Sequence, residues 1–444
     1  MDLLKRLFKG DKVIWMVFLM LCLISVVEVF SAASTLTYKS GNYLVPISQH
    51  SLYLMMGAGV VFLVHKMPCK LFRLIPVLTL PTAIVLLIVA MFFVEKVNAA
   101  GRWIPILGIQ FQPSELGKMA VITSTALILS MMQDEKGAHP KAFKYILWIT
   151  GIICALIAPE NFSTAAMLFG VTILMMYIGR VPLKQLGKLV GIIGLTIGVS
   201  GAALFATPNE VLDKVPGLHR AVTWKNRLAE FGEDKEITPQ EYDITKNAQV
   251  AHANIAIATS NIIGKMPGNS VERDFLSQAF SDFIYAIIIE ELGLLGGGFV
   301  AFLYIILLLR VGRIAGQCNK KYLSLLIMGT ALLLVSQALL NMMVAVGLFP
   351  VTGQPLPLIS KGGTSTLINC AYIGIILSVS RYVEKQKELS QQMSLQTADS
   401  VILKAGEAEV LEDLEENNSH EGNETENENN DIEDSQIKNS NLEY

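Results

Sequence analysis

About ten times along this chain a run of apolar residues, nearly free of charge, is long enough to cross a lipid bilayer. The hydrocarbon core is about 30 Å thick and takes roughly 20 residues of helix to span, and in lipid each backbone N–H and C=O must find its partner inside the segment. The runs fall near 14–33, 51–65, 74–94, 116–132, 145–159, 162–179, 187–206, 283–309, 322–348 and 365–380. With 52% hydrophobic and only 16% charged residues, a string of soluble domains is excluded. The expected fold class is an all-α polytopic membrane protein with about ten transmembrane helices.

Orientation follows from where the basic residues stand. Residues 401–444 hold 14 Asp and Glu against Lys404 and Lys438, so the formal net charge of −3 conceals a basic membrane portion. Lysine and arginine crowd alternate connections, among them Lys66, Lys70 and Arg73, then Arg310, Arg313, Lys320 and Lys321, then Arg381, Lys385 and Lys387. The connections between hold only Lys39, Lys96, Arg102 and Lys361 among the short ones. Positive charge marks the cytoplasmic side, which puts both termini there. The run from Ile14 reads as a retained first span rather than a cleaved signal peptide. The five cysteines show no paired spacing and read as packing residues.

This topology leaves one long external loop, about 207–280, between spans 7 and 8. Long ordered loops concentrate function. Within it, Ala248–Ile263 reads as a helix on or dipping into the membrane. A second external segment, Asn98–Pro113, mixes apolar residues with Gly and Pro and is expected at the interface. The domain division is 1–387 for the membrane portion and 388–444 for a disordered acidic cytoplasmic tail, too poor in apolar residues to fold alone.

Carboxylates at membrane depth are expensive and start as functional candidates. Glu28 lies inside span 1; Glu115 and Lys118 open span 4 at the i,i+3 spacing of an ordinary helix pair; Glu290 and Glu291 lie within span 8, where a structural or gating role suits them. Asp282 opens span 8 where the long external loop meets the membrane, which suits either a helix N-cap or a catalytic acid. External cations at Arg102, Arg227 and Lys361 suit either a diphosphate clamp or lipid head groups. Gly268, Gly362 and Gly363 permit close backbone approach, with Asn269, Ser270, Thr364 and Ser365 as donors; turn chemistry asks for the same residues.

Read together, GRWIPILGIQFQPSELGK at Gly101–Lys118, RLAEF from Arg227, PGNS at Pro267–Ser270, SDFIYAIIIEELGLLGG at Ser281–Gly297 and GLFPVTGQPLPLISKGGTS at Gly347–Ser365 form an ordered set. The chain resembles the SEDS family (shape, elongation, division and sporulation), the FtsW, RodA and SpoVE group, most like FtsW, from span 1 to about Arg381. Asn161 stands where that family has Asp. The resemblance implies a peptidoglycan glycosyltransferase that polymerises lipid II by inverting transfer, with undecaprenyl diphosphate leaving and Asp282 as the essential acid and general base. The substrate contacts it implies are Arg102, Trp103, Gln112, Ser114, Glu115, Lys118, Arg227, Gln249, Gly268, Asn269, Ser270, Ser360, Lys361, Gly362, Gly363, Thr364 and Ser365. No metal ligands are assigned and no cofactor is evident, although a divalent cation at the diphosphate is compatible with the chemistry.

The partners implied are lipid II, a class B penicillin-binding protein acting as transpeptidase, other divisome proteins and membrane lipids, with no nucleic acid. The place implied is the bacterial inner membrane at the division septum. A flippase for the lipid-linked precursor, a scaffold for division proteins and the elongation member of the same family are the alternatives. PVTGQPLP leans toward elongation, whereas LPLIS and the long tail lean toward division, which is favoured.

Overall fold

The computed structural model describes residues 9–32, 44–93, 104–106, 109–134, 137–207, 225, 248–276 and 279–397. Its helices follow the apolar runs. They are α1 (Lys12–Ala32), α2 (Leu44–Lys66), α3 (Ile75–Phe93), α4 (Pro113–Met131), α5 (Pro140–Ile157), α6 (Phe162–Ile178), α7 (Leu183–Ala206), α8 (Ala248–Ala258), α9 (Ile284–Gln317) and α10 (Lys321–Ala345), then α11 (Thr364–Thr397). Seven of the described helical segments are long and apolar enough to cross a membrane by length and composition. The protein is a multi-pass helical membrane protein.

Two short antiparallel hairpins interrupt the helices. In one, β1 (Ile104–Ile106) pairs with β2 (Ile109–Phe111), Ile104 opposite Phe111; in the other, β3 (Gln133–Asp134) pairs with β4 (Gly137–Ala138). The first occupies the segment expected at the interface. Pro113 at the first turn of α4 needs no backbone donor there, so the strand passes straight into the helix.

α4 is the hub, packed against α3, α5, α6 and α10. It carries Glu115 and Lys118 yet buries nearly its whole surface, because protein rather than lipid surrounds it. α7 is the opposite: only 6% of its apolar window is buried, the exposure expected of a helix that faces lipid. Asn161 caps α6, its Oδ1 accepting from the Thr164 N–H at 3.1 Å, a role that Asn and Asp fill equally.

Span 8 departs from expectation. As one straight helix its 34 residues would extend about 51 Å, well beyond the hydrocarbon thickness. Instead the chain reverses at Gly293, where φ is +74°. Tyr285 Oη donates to the Gly297 carbonyl at 3.0 Å, and a Cβ on Gly297 would stand 2.7 Å from Ile289 Cγ1. In a continuous helix positions 12 apart are separated by about 18 Å, so residues 284–292 and 294–317 form antiparallel arms. A Cβ at Gly293 would meet the Ile262 carbonyl oxygen at 2.2 Å, which leaves glycine as the residue that fits.

The loop that follows α8 seals that hinge. The N–H groups of Lys265 and Met266 donate to the carbonyls of Glu290 and Glu291 at the end of the first arm, at 2.9 and 2.8 Å. The N–H groups of Leu294 and Leu295 at the start of the second arm donate to Asn261 and Ile262. One stretch of loop thus satisfies the orphaned backbone groups of both broken ends. α11 in turn runs on to Thr397, past Glu388, where the sequence reading starts a disordered tail; residues 398–444 lie outside those described. The candidate site lies wholly within the compact unit that ends at Val383.

Candidate active site

Reversal at Gly293 changes where Asp282 sits. Asp282 is at the end of the first arm far from the hinge, and Glu290 and Glu291 are at the hinge itself, whereas a single continuous span would carry all three along one line. The depth can be read from its partners. The Asp282 carbonyl accepts from Asn341 Nδ2 at 2.8 Å, and Asn341 lies four residues before the end of α10. The preceding Ser281 carbonyl accepts from Ser360 Oγ at 2.6 Å, and the neighbouring Ile359 carbonyl accepts from Ser25 Oγ at 2.7 Å, seven residues before the end of α1. At 1.5 Å per residue, the Asn341 contact puts Asp282 about 6 Å inside the end of α10.

The Asp282 side chain is partly exposed and its Oδ1 accepts from Ser281 Oγ at 3.0 Å. Facing it is the connection from α10 to α11. Lys361 N–H donates to the Phe280 carbonyl at 3.0 Å, and its ammonium stands 5.6 Å from the centre of the Phe280 ring, within cation–π range. Half-burial holds the Lys361 ammonium below the ordinary lysine pKa of 10.5, because desolvation penalises the charged form. The same connection is fastened elsewhere: Gln337 Nε2 donates to the Pro355 carbonyl at 3.1 Å, Gln354 Nε2 to Thr164 Oγ1 and Tyr304 Oη to the Pro357 carbonyl.

Further expected residues join this network. Lys118 is fully buried; its ammonium is 2.7 Å from Glu115 Oε1 and 2.8 Å from Gln337 Oε1. Its charge is thereby matched inside the bundle, away from solvent, so Lys118 supports the connection through Gln337. Gln112 N–H donates to Thr364 Oγ1 at 3.3 Å, Thr364 Oγ1 donates to the Gln110 carbonyl at 3.2 Å, and Ser365 N–H donates to Gly362. Gly363 has φ +50°. Gln112 and Ser114 also line a narrow crevice with Glu160 and Asn161.

Other expected contacts lie elsewhere. Ser270 Oγ donates to Glu290 Oε2 at 2.5 Å and Asn269 Nδ2 to the Lys265 carbonyl at 2.9 Å, so PGNS forms the hinge seal, with Gly268 at φ +90°. Gln249 is partly exposed on α8. Arg102, Trp103 and Arg227 fall outside the described residues. Glu28 is fully enclosed, and neither carboxylate oxygen has a hydrogen-bond partner among the described residues. No group of three or more His, Cys, Asp or Glu among the described residues is placed to hold a metal ion.

Sequence reasoning passed over Gln337, Asn341 and Gln354, the amides that bind the site together. A signal existed for the first two: polar side chains four apart inside the apolar run 322–348 need a partner in lipid.

Residues 11–385 match the family model of FtsW, RodA and SpoVE, described as "Cell cycle protein". The chain belongs to this family. It is 31% identical over 379 residues, 83% of this chain and 92% of the relative, to the probable peptidoglycan glycosyltransferase FtsW of Alcanivorax borkumensis. Among solved structures it is similar to a chain of a peptidoglycan synthase complex that coordinates polymerization and crosslinking, with TM-score 0.66 at 22% identity over 84% of this chain and 98% of that one. A mutant of the rod shape determining protein RodA from Thermus thermophilus matches with TM-score 0.59 at 21% identity, over 84% of this chain and 97% of that one. At those identities the structural matches establish the family's fold.

Proposed function

We propose that this chain is a peptidoglycan glycosyltransferase that polymerises lipid II into glycan strands on the outer face of the bacterial inner membrane, for the septal wall at division. Both termini are cytoplasmic in this reading, and Asp282 opens toward the external side. One observation carries the chemistry: the backbone at Ser281 and Asp282 is held by two side chains, while Asp282 itself stays partly exposed and the Lys361 N–H is bonded to the nearby Phe280 carbonyl.

A hydroxyl of the incoming saccharide gives its proton to Asp282 as its oxygen bonds to the anomeric carbon of the lipid-linked donor. On the opposite face the bond from that carbon to the diphosphate oxygen breaks, and its electron pair leaves with undecaprenyl diphosphate. One carboxylate suffices for such inversion and no covalent sugar intermediate forms. Lys361 neutralises charge gathering on the diphosphate; Arg102 and Arg227 are proposed to assist, as is a divalent cation bound to the leaving group. A class B penicillin-binding protein crosslinks the emerging strands as partner.

A flippase for the same precursor is the second reading, because a helix broken near a binding site is also how transporters are built, and α9 is broken at Gly293. Purified protein in liposomes with fluorescent lipid II, with and without the transpeptidase, separates the two. Strands from wild type and none from Asp282→Ala support polymerisation. Equal polymer from both removes Asp282 from the mechanism, and translocation without polymer establishes the flippase.

A further inference from the structure

Two successive carbonyls at the head of α9 are each held by a side chain from another part of the chain. Ser281 accepts from Ser360 Oγ at 2.6 Å and Asp282 accepts from Asn341 Nδ2 at 2.8 Å. Asn341 is only 1% exposed, and its amide also donates to the Gln354 carbonyl at 2.7 Å. Both partners are acceptors, so the nitrogen and not the oxygen must face them. Its Oδ1 is left buried without a hydrogen-bond partner among the described residues, a cost this position bears in order to make two donor bonds.

We infer that Asn341 is a positioning residue for glycosyl transfer, tying the Asp282 backbone to the 354–361 connection so that the carboxylate and Lys361 keep a fixed separation. Asn341 holds the Asp282 carbonyl, and through it the direction in which Cβ and the carboxylate leave the chain. Ser360, one residue before Lys361, makes the matching bond to Ser281 and also accepts the Leu356 N–H at 2.8 Å. One turn back on the same face of α10, Gln337 ties the Glu115–Lys118 pair to the same connection. α10 is therefore the ruler against which acid and cation are set. Misplacement of a reacting group by about 1 Å can cost about a hundredfold in rate.

The inference rests on reading Asp282 as the general base, and the test separates the two. Full-length protein in liposomes with its transpeptidase is assayed for initial polymerisation rate against lipid II concentration, well below each variant's unfolding temperature. Asn341→Leu keeps the size but removes both donors, and is expected to lower kcat by about 10- to 100-fold with KM within about threefold of wild type. Ser360→Ala frees only the Ser281 carbonyl, is milder to the fold, and should lower kcat in the same direction; the double variant should lose less than the product of the two, since both act on one backbone segment. A kcat within about twofold of wild type for both single variants, with Asp282→Ala inactive, overturns the positioning role and leaves the base assignment standing. So does a raised KM with kcat intact, or a loss that merely tracks the folded fraction. Full activity in Asp282→Ala overturns the base assignment itself.

Discussion

The two ends of the first arm of α9 hold carboxylates in opposite situations. At the hinge, Glu290 and Glu291 are sealed from solvent. Glu290 receives the Lys265 ammonium at 2.7 Å, the Ser270 hydroxyl at 2.5 Å and the Val271 N–H at 3.1 Å. Glu291 receives the Ser31 hydroxyl and the Ser270 N–H, with the Arg273 guanidinium 3.9 Å away. At the other end the backbone of Asp282 is held as well, its carboxylate meets Ser281, and the residue is partly exposed. An acidic residue at membrane depth is therefore not by itself a sign of chemistry. Where the protein encloses the carboxylate completely it is closing a joint, and where it holds the backbone and keeps the residue partly exposed it is presenting a reagent.

The sharpest way to break this contrast is to neutralise each end in turn. Asp282→Asn keeps the shape and is expected to slow strand polymerisation by about 10²- to 10⁴-fold, the usual contribution of a general base, with an unchanged unfolding temperature in detergent. Glu290→Ala should do the reverse. It removes the ion partner of Lys265 and the acceptor of two further donors and should cost about 3 kcal/mol of stability, near the low end for breaking a buried ion pair because Lys265 is 29% exposed and keeps its bond to Thr259. The surviving folded enzyme should keep its kcat. A Glu290→Ala protein of normal stability without activity would place chemistry at the hinge and end the distinction.

Much of this molecule could be read before it was seen, and the part that could not has a definite cause. Each apolar run meets a helix, because lipid demands about the same length and hydropathy of every span. Hydropathy carries no direction, however, so 283–309 reads as one span although its arms are antiparallel. The excess length and Gly293 among the glycines of ELGLLGGG were the available signals. Asp282 could be named from its motif, but not its depth, which depends on that reversal. Asn341 and Gln337 stayed hidden because their partners, the carbonyls of Asp282, Gln354 and Pro355, are brought near only by the fold. Ser270 shows the limit from the other side: a turn serine and a ligand serine look alike in sequence, and in the fold this one donates to Glu290.

Lys361 offers the smallest and most discriminating test, because it asks whether the open end of the arm really handles a charged leaving group. Desolvation holds its pKa below that of a free lysine. The stability sign follows: burial penalises the ammonium, so Lys361 opposes folding at low pH, and that penalty fades as pH rises through the depressed pKa toward the unfolded value. Catalysis has the other sign. If the ammonium neutralises the departing diphosphate, turnover must fall as Lys361 deprotonates, at a lower pH than an ordinary lysine would require. Arginine stays charged throughout, so Lys361→Arg should move the descending alkaline limb of the rate profile upward while changing the rate at neutral pH by less than about threefold; Lys361→Met, which has no charge, should lower the neutral rate by about tenfold, corresponding to about 1.4 kcal/mol. An alkaline limb that stays put in the arginine variant assigns that titration to another group and leaves Lys361 with only its contact to the Phe280 ring.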